Sequence, residues 1–252
     1  MATKEQFIAV FDSGVGGISV LRELLQLMPN ERYLYYGDCA NAPYGNRTTR
    51  DVRDLTMAAA DKLFDRGIKA LVVACNTATA AAIKDLRLRY PDQIIVGIEP
   101  ALKLAADHFP TARVGVLATP VTLREEKFAH LQEQFPKMNV QAIPLPGLVP
   151  LIEEGASPDR LEAYLQPILA PCKGKLDAAV LGCTHYPLVK AVIGELLGPD
   201  TVLLDGGRGT ARQTLRRLTQ EDLLWDGPGQ LLLESSSSDP AVLRRFRSFI
   251  EE

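Results

Sequence analysis

Two stretches of this 252-residue chain repeat one another, and that repetition constrains the fold more than any other feature. Residues 65–83, DRGIKALVVACNTATAAAI, are similar to residues 173–193, KGKLDAAVLGCTHYPLVKAVI, with Cys75 and Cys183 at the same place in each. In both, a short apolar run ends in a cysteine and gives way to a helical segment. Each cysteine is also preceded, 63 to 64 residues upstream, by another strand ending in small polar residues, Asp12-Ser13 in one case and Thr119 in the other. This internal duplication predicts two similar α/β halves, each presenting one cysteine at the carboxyl edge of a mostly parallel sheet, where open α/β sheets place ligands. A cleft between the facing halves follows.

The rest of the chain agrees, because short runs of Val, Ile and Leu alternate with helical-period segments. Strands are predicted at Phe7–Phe11, Tyr33–Tyr36, Ala70–Ala74, Ile94–Ile98, Val114–Ala118, Val140–Ile143, Ala178–Leu181 and Val202–Leu204. Helices are predicted over Ile18–Met28 and Val52–Arg66, the second capped by Gly67. The chain is expected to leave the first half near Gly97–Pro100 and the second near Asp205–Gly207. Residues 1–98 plus 208–252 then form a first α/β domain around Cys75, and residues 99–207 a second around Cys183. The final segment, SSSSDPAVLRRFRSFIEE, reads as a loop, an Asp239 cap, Pro240 in the first turn and an amphipathic helix. Its stripe of Val242, Leu243, Phe246, Phe249 and Ile250 is expected to pack back on the first domain.

Several function classes are excluded at this level. Lys plus Arg total 28 against 31 for Asp plus Glu, so no global field attracts a nucleic-acid backbone, and the few aromatics are not interleaved with basic residues. No apolar run approaches the ~18 residues needed to span a bilayer. The first run, Phe7–Phe11, is too short for a signal-peptide core. The four cysteines lack CxxC pairing, against both a disulfide framework and a zinc knuckle, and a reduced, cytoplasmic setting is expected. No metal or cofactor motif is present.

The motifs at the predicted strand ends are small and polar. FDSGVGG opens a helix like a phosphate-binding turn, yet Ser19 breaks the dinucleotide pattern, and a purely structural turn explains the glycines equally well. Asp12 and Ser13 stand at the sheet's carboxyl edge. Cys75 in ACNTA and Cys183 in GCTHYPL each precede a helix, whose positive end is expected to stabilise a thiolate. Each is followed by donors and acceptors suited to a small carboxylate or amine, Asn76-Thr77 and Thr184-His185. His185 is placed to act as general acid or base, or to lower the pKa of the thiol. The loop GDCANAPYGNRTTR offers Asp38, Tyr44 and amides near Gly45. Cys39 and Cys172 read as filler, His108 and His130 as solvated, the Arg pairs 216–217 and 244–245 as solvated helix faces, and Glu153, on its own, as an exposed glutamate.

Two thiols facing each other across a cleft suit one reaction class. One thiolate removes a proton from a carbon while the opposing thiol delivers one to the other face, inverting the stereocentre. In sequence, FDSGVGG, GDCANAPYGNR, ACNTA, VGIEPA, GLVPLIE and GCTHYPL closely resemble the glutamate racemases, of the cofactor-independent aspartate/glutamate racemase superfamily, and the likeness covers nearly the whole chain. The resemblance implies two α/β domains related by pseudo-twofold symmetry, an interdomain active site, no cofactor or metal, and conversion of L-glutamate to D-glutamate for bacterial peptidoglycan. It carries Cys75 over as the base for D-glutamate and Cys183 as the base for L-glutamate, with Asp12 assisting Cys75, and Glu153 and His185 assisting Cys183. The implied substrate contacts are Asp12, Ser13, Tyr44, Gly45, Asn76, Thr77, Thr184 and His185, and Glu153 moves from surface to site. After VLAT the family commonly continues with Thr, then Ser and Tyr, whereas this chain reads PVTLREEKF. Thr119 and Thr122 remain to serve there, Thr119 as a substrate contact. The implied partners are glutamate and, as often in the family, a second copy in a homodimer; neither nucleic acid nor membrane is implied.

Three rivals are defined by the same residues. A racemase of aspartate, another amino acid or a hydantoin would keep both cysteines and change the pocket polarity. A cysteine hydrolase using Cys183 with His185 would make Cys75 dispensable. A non-catalytic binder would show affinity without turnover.

Overall fold

The fold is taken from a computed structural model that describes residues 2–98, 101–108, 111–124 and 133–251. All eight predicted strands form: β1 (Ile8–Asp12), β2 (Arg32–Gly37), β3 (Ala70–Val73), β4 (Ile94–Gly97), β5 (Arg113–Ala118), β6 (Asn139–Pro144), β7 (Ala178–Leu181) and β8 (Val202–Leu204). A ninth, β9 (Gln230–Ser235), is not among those expected. The helices are α1 (Ile18–Leu27), α2 (Thr49–Asp65), α3 (Asn76–Arg89), α4 (Leu102–His108), α5 (Pro120–Arg124), α6 (Leu148–Glu153), α7 (Pro158–Leu169), α8 (Lys190–Leu197), α9 (Gly207–Gln220) and α10 (Pro240–Glu251).

The strands form two parallel sheets, ordered β4-β3-β1-β2-β9 and β6-β5-β7-β8. The duplication is explicit in that order. β1 lies between β3 and β2 as β5 lies between β7 and β6, and β4 flanks β3 as β8 flanks β7. Register matches as well: Ala74 N–H donates to the Phe11 carbonyl at 2.8 Å, and Gly182 N–H to the Leu117 carbonyl at 2.7 Å, each one residue before its cysteine. The chain is thus two α/β domains built on one plan, with β9 added beyond β2 in the first sheet.

β1, β3 and β7 are buried along their whole length, which is why they read as continuous apolar runs rather than alternating ones. Successive residues serve opposite faces: Ile8 and Val10 join one core cluster with Val72 and Val96, while Ala9 and Phe11 join another with Leu71 and Val73. Each such buried side chain contributes roughly 1.5–3 kcal/mol relative to exposure. At the amino edge of the first sheet, away from the cysteines, Lys69 Nζ lies 2.7 Å from Glu31 Oε2, and both residues are buried.

α10 forms where the tail pattern predicts it, and its stripe packs on the first sheet's core. The Phe246 ring meets Tyr35 edge-on at 5.0 Å. β9 was hidden because QLLLES is a half-buried edge strand flanked by serines; the signal available was three consecutive leucines after the GPG turn. Glu99 and Pro100, in the expected crossover, and His130 lie outside the described residues.

Candidate active site

The two cysteines are held differently. Cys75 follows β3 and caps α3, its sulfur accepting the Ala78 N–H at 3.4 Å while its S–H donates to Ser13 Oγ at 3.7 Å. Burial, reinforced by the Asp12 carboxylate, pushes this thiol up to about 12. The bonds from the helix start and Ser13 lower it by less than burial raises it. Cys183 follows β7, but no α-helix begins beside it. A 3-10 turn, Tyr186–Val189, with Pro187 early in it, intervenes before α8.

What Cys183 has instead is a charged neighbour. His185 Nδ1 lies 3.8 Å from Cys183 Sγ, and His185 Nε2 lies 2.7 Å from Glu153 Oε1 at the end of α6. Burial alone would lower the imidazole pKa, yet the bonds to Cys183 and Glu153 more than offset it and hold it well above the usual value. Burial opposes the ionised Glu153 too, but the His185 bond, the Val15 N–H and the Arg245 guanidinium bring its pKa below the usual value. A histidine–carboxylate pair thus stands against Cys183, placed to exchange a proton with the sulfur.

The FDSGVGG loop is one place where the two halves meet. Val15 N–H donates to Glu153 Oε1 at 2.9 Å, so the anion received by this helix-opening turn is a carboxylate of the other half. A Cβ on Gly14 would collide with Glu153 Oε1, and one on Gly16 with His185 Nδ1. These glycines make room for the Cys183 side of the site, a reason neither the phosphate-turn nor the structural-turn reading contained. Asp12 Oδ1 accepts the Gly14 N–H and Oδ2 accepts the Thr184 hydroxyl, both at 2.9 Å, tying β1 to the second half. Burial raises the pKa of Asp12.

Cys75 and Cys183 border one cavity of about 20 Å³, roughly the room of one water molecule. That room is smaller than an amino acid. Ser13, Tyr44, Gly45, Asn76, Thr77, Thr119, Thr184 and His185 line it too, so every expected substrate contact except Asp12 reaches the same space. Thr77, Thr119 and Thr122 form a hydroxyl cluster with separations of 3.0 to 3.5 Å. The Tyr44 hydroxyl donates to Asp38 Oδ2 at 2.6 Å, which fixes the loop and leaves the ring facing the cavity. Asn76 Oδ1 is buried with no hydrogen-bond partner among the described residues. An unsatisfied buried acceptor costs about 1–3 kcal/mol, and a bound ammonium would relieve it.

Comparison with known proteins decides the family. The model described as Asp/Glu/Hydantoin racemase matches residues 13–214. The chain belongs to the Asp/Glu/hydantoin racemase family. A glutamate racemase of Clostridium kluyveri is 48% identical over 221 residues, covering 86% of each chain. The solved glutamate racemase of Thermus thermophilus, in complex with β-chloro-D-alanine, superposes with a TM-score of 0.83 at 36% identity, over 99% of this chain and 94% of that one. That of Francisella tularensis, in complex with D-glutamate, gives 0.86 at 26% identity, over 99% and 95%.

Cys39 and Cys172 stay outside the cavity; Cys39 is half-buried, its thiol pushed up to about 12 by burial, and Cys172 is buried in a 3-10 turn. His108 is exposed on α4. Glu153 is half-buried in the site, not on an open helix face. Arg245, read as a solvated helix residue, lies 3.8 Å from Glu153 Oε2. Tyr35 carries no mark of a site in the sequence, yet its hydroxyl donates to the Gly14 carbonyl at 2.6 Å. No local signal marks either residue, because both act across elements distant in sequence. Among the described residues no helix is long and apolar enough to cross a membrane.

Proposed function

We propose that the chain is a glutamate racemase working by two-base proton transfer between cysteines. The observation that carries this reading is the placement of Cys75 and Cys183, from opposite halves, on one cavity lined by hydroxyls and amides. Relatives named glutamate racemase, one of them solved with D-glutamate, support the choice of substrate. The Cys183 thiolate removes the α-proton of L-glutamate and becomes a thiol. The Cys75 thiol gives its proton to the opposite face, leaving D-glutamate and a Cys75 thiolate. The reverse turnover begins from that state.

The asymmetry of the two cysteines fits their tasks. His185 and Glu153 supply charge stabilisation to Cys183. Cys75, with its raised pKa, is held as a proton donor, and as a base for D-glutamate it requires the substrate ammonium to offset its burial and the charge of Asp12. The small room between Cys75 and Cys183 suits domains, residues 1–98 plus 208–252 and residues 99–207, that part to admit substrate and close to exclude water. The four free cysteines support a reducing, cytoplasmic location, and D-glutamate for peptidoglycan is the role that follows.

The test is circular dichroism of L-glutamate incubated with protein in D₂O, with NMR of the same sample. Decay of ellipticity with α-deuteration is expected. Cys75→Ala and Cys183→Ala should each abolish racemisation, the first retaining exchange of L-glutamate only and the second of D-glutamate only. The Cys183–His185–Glu153 alignment would also serve a thiol hydrolase, and undiminished turnover in Cys75→Ala would favour it.

A further inference from the structure

We propose that Arg245, on α10, is a positioning residue for proton transfer at Cys183, acting through Glu153. The inference rests on the racemisation proposed above. Glu153 has two oxygens with different duties: Oε1 takes His185 Nε2 at 2.7 Å and the Val15 N–H at 2.9 Å, whereas Arg245 Nη1 stands 3.8 Å from Oε2. Both partners are partly withdrawn from water, with side-chain exposures of 34% for Arg245 and 21% for Glu153. Arg245 falls beyond residue 214, where the family match ends.

α10 is anchored for the purpose. Phe246, the next residue, is buried against Tyr35, and Tyr35 in turn holds the Gly14 carbonyl of the loop that receives Glu153. One helix therefore fixes the loop on one side of the carboxylate and places a cation on the other. The guanidinium is charged at every working pH and keeps Glu153 ionised. With the guanidinium on the Oε2 side, Oε1 stays turned to His185 Nε2, which keeps Nδ1 towards Cys183 Sγ. The other titratable groups around Glu153 are His185 from the turn after β7, Asp12 at the end of β1, and Tyr35 and Cys39 along and after β2. Asp12 opposes the ionised carboxylate, and the two cations outweigh it.

Arg245→Gln should lower kcat about fivefold with KM nearly unchanged. Losing the cation lets Glu153 take up a proton at higher pH, so the acidic limb of the kcat profile should move upward by about half a unit. Arg245→Lys should restore most of both, and Arg245→Met, which keeps the packed stem, should behave like the glutamine variant. Unchanged kcat and pH profile in folded Arg245→Gln would overturn the proposal, as would a loss equal at every pH that lysine does not rescue. Parent protein that leaves glutamate unchanged would instead overturn the proposed function, and the role of Arg245 with it.

Discussion

Gly16 and His185 meet from opposite halves of the molecule: a side chain on the glycine would run into the imidazole Nδ1 that faces Cys183. The first half's helix-opening loop is thus shaped around the imidazole beside Cys183. Gly14 and Glu153 repeat the relationship one step further from the sulfur.

Gly16→Ala should therefore damage activity more than stability. The methyl group forces His185 from Cys183, with an overpacking penalty of about 1–3 kcal/mol in a thermal melt and about a 100-fold fall in kcat. Near-parental turnover would show that the imidazole is not needed at that position.

Glu153→Gln tests the ion pair directly. A depressed carboxyl pKa contributes stability that is present above its unfolded value, about 4.3, and lost as pH falls through the folded value. A raised imidazole pKa contributes stability that is full below its unfolded value, about 6.5, and lost as pH rises through the folded value. The melting-temperature difference between parent and Glu153→Gln should be largest between those two limits and shrink on either side. A difference flat with pH would contradict the pairing.

Cys39→Ser should leave kcat within about twofold of the parent, because Cys39 lies outside the cavity shared by Cys75 and Cys183. A loss approaching that of Cys75→Ala would place a third thiol in the chemistry.

Lys69→Met should cost about 3–5 kcal/mol in urea unfolding, since it leaves the buried Glu31 carboxylate without its cation. Lys69 also donates to the carbonyls of Lys4 and Leu223, and Glu31 Oε1 accepts the Trp225 N–H, so the segment leading into β9 should loosen with it. Replacing both by apolar residues should recover much of the loss, and failure to do so would mean the backbone contacts dominate.

Much of the architecture is readable locally because a strand buried on both faces must be apolar at every position, as IAVFD and ALVV are, and because a helix repeats its apolar stripe every three to four residues, as α10 does. β9 escaped for the converse reason: an edge strand is half solvated and its pattern weak. Cys75 and Cys183 stand out because duplicated contexts are visible without any structure. Glu153 read as an ordinary exposed glutamate, and only its likeness to a known motif moved it to the site.

The sequence by itself determined the two-sheet plan, the pair of cysteines at equivalent strand ends and the family pattern that surrounds them, since each depends on residues close together in the chain. Tertiary structure alone decided that His185 and Glu153 stand beside only one of the two sulfurs, that burial raises the pKa of Cys75 despite its place at a helix start, and that Arg245 comes near Glu153 from the last helix. Charge–charge distance and burial are properties of the packed halves, and no local pattern in either half encodes them.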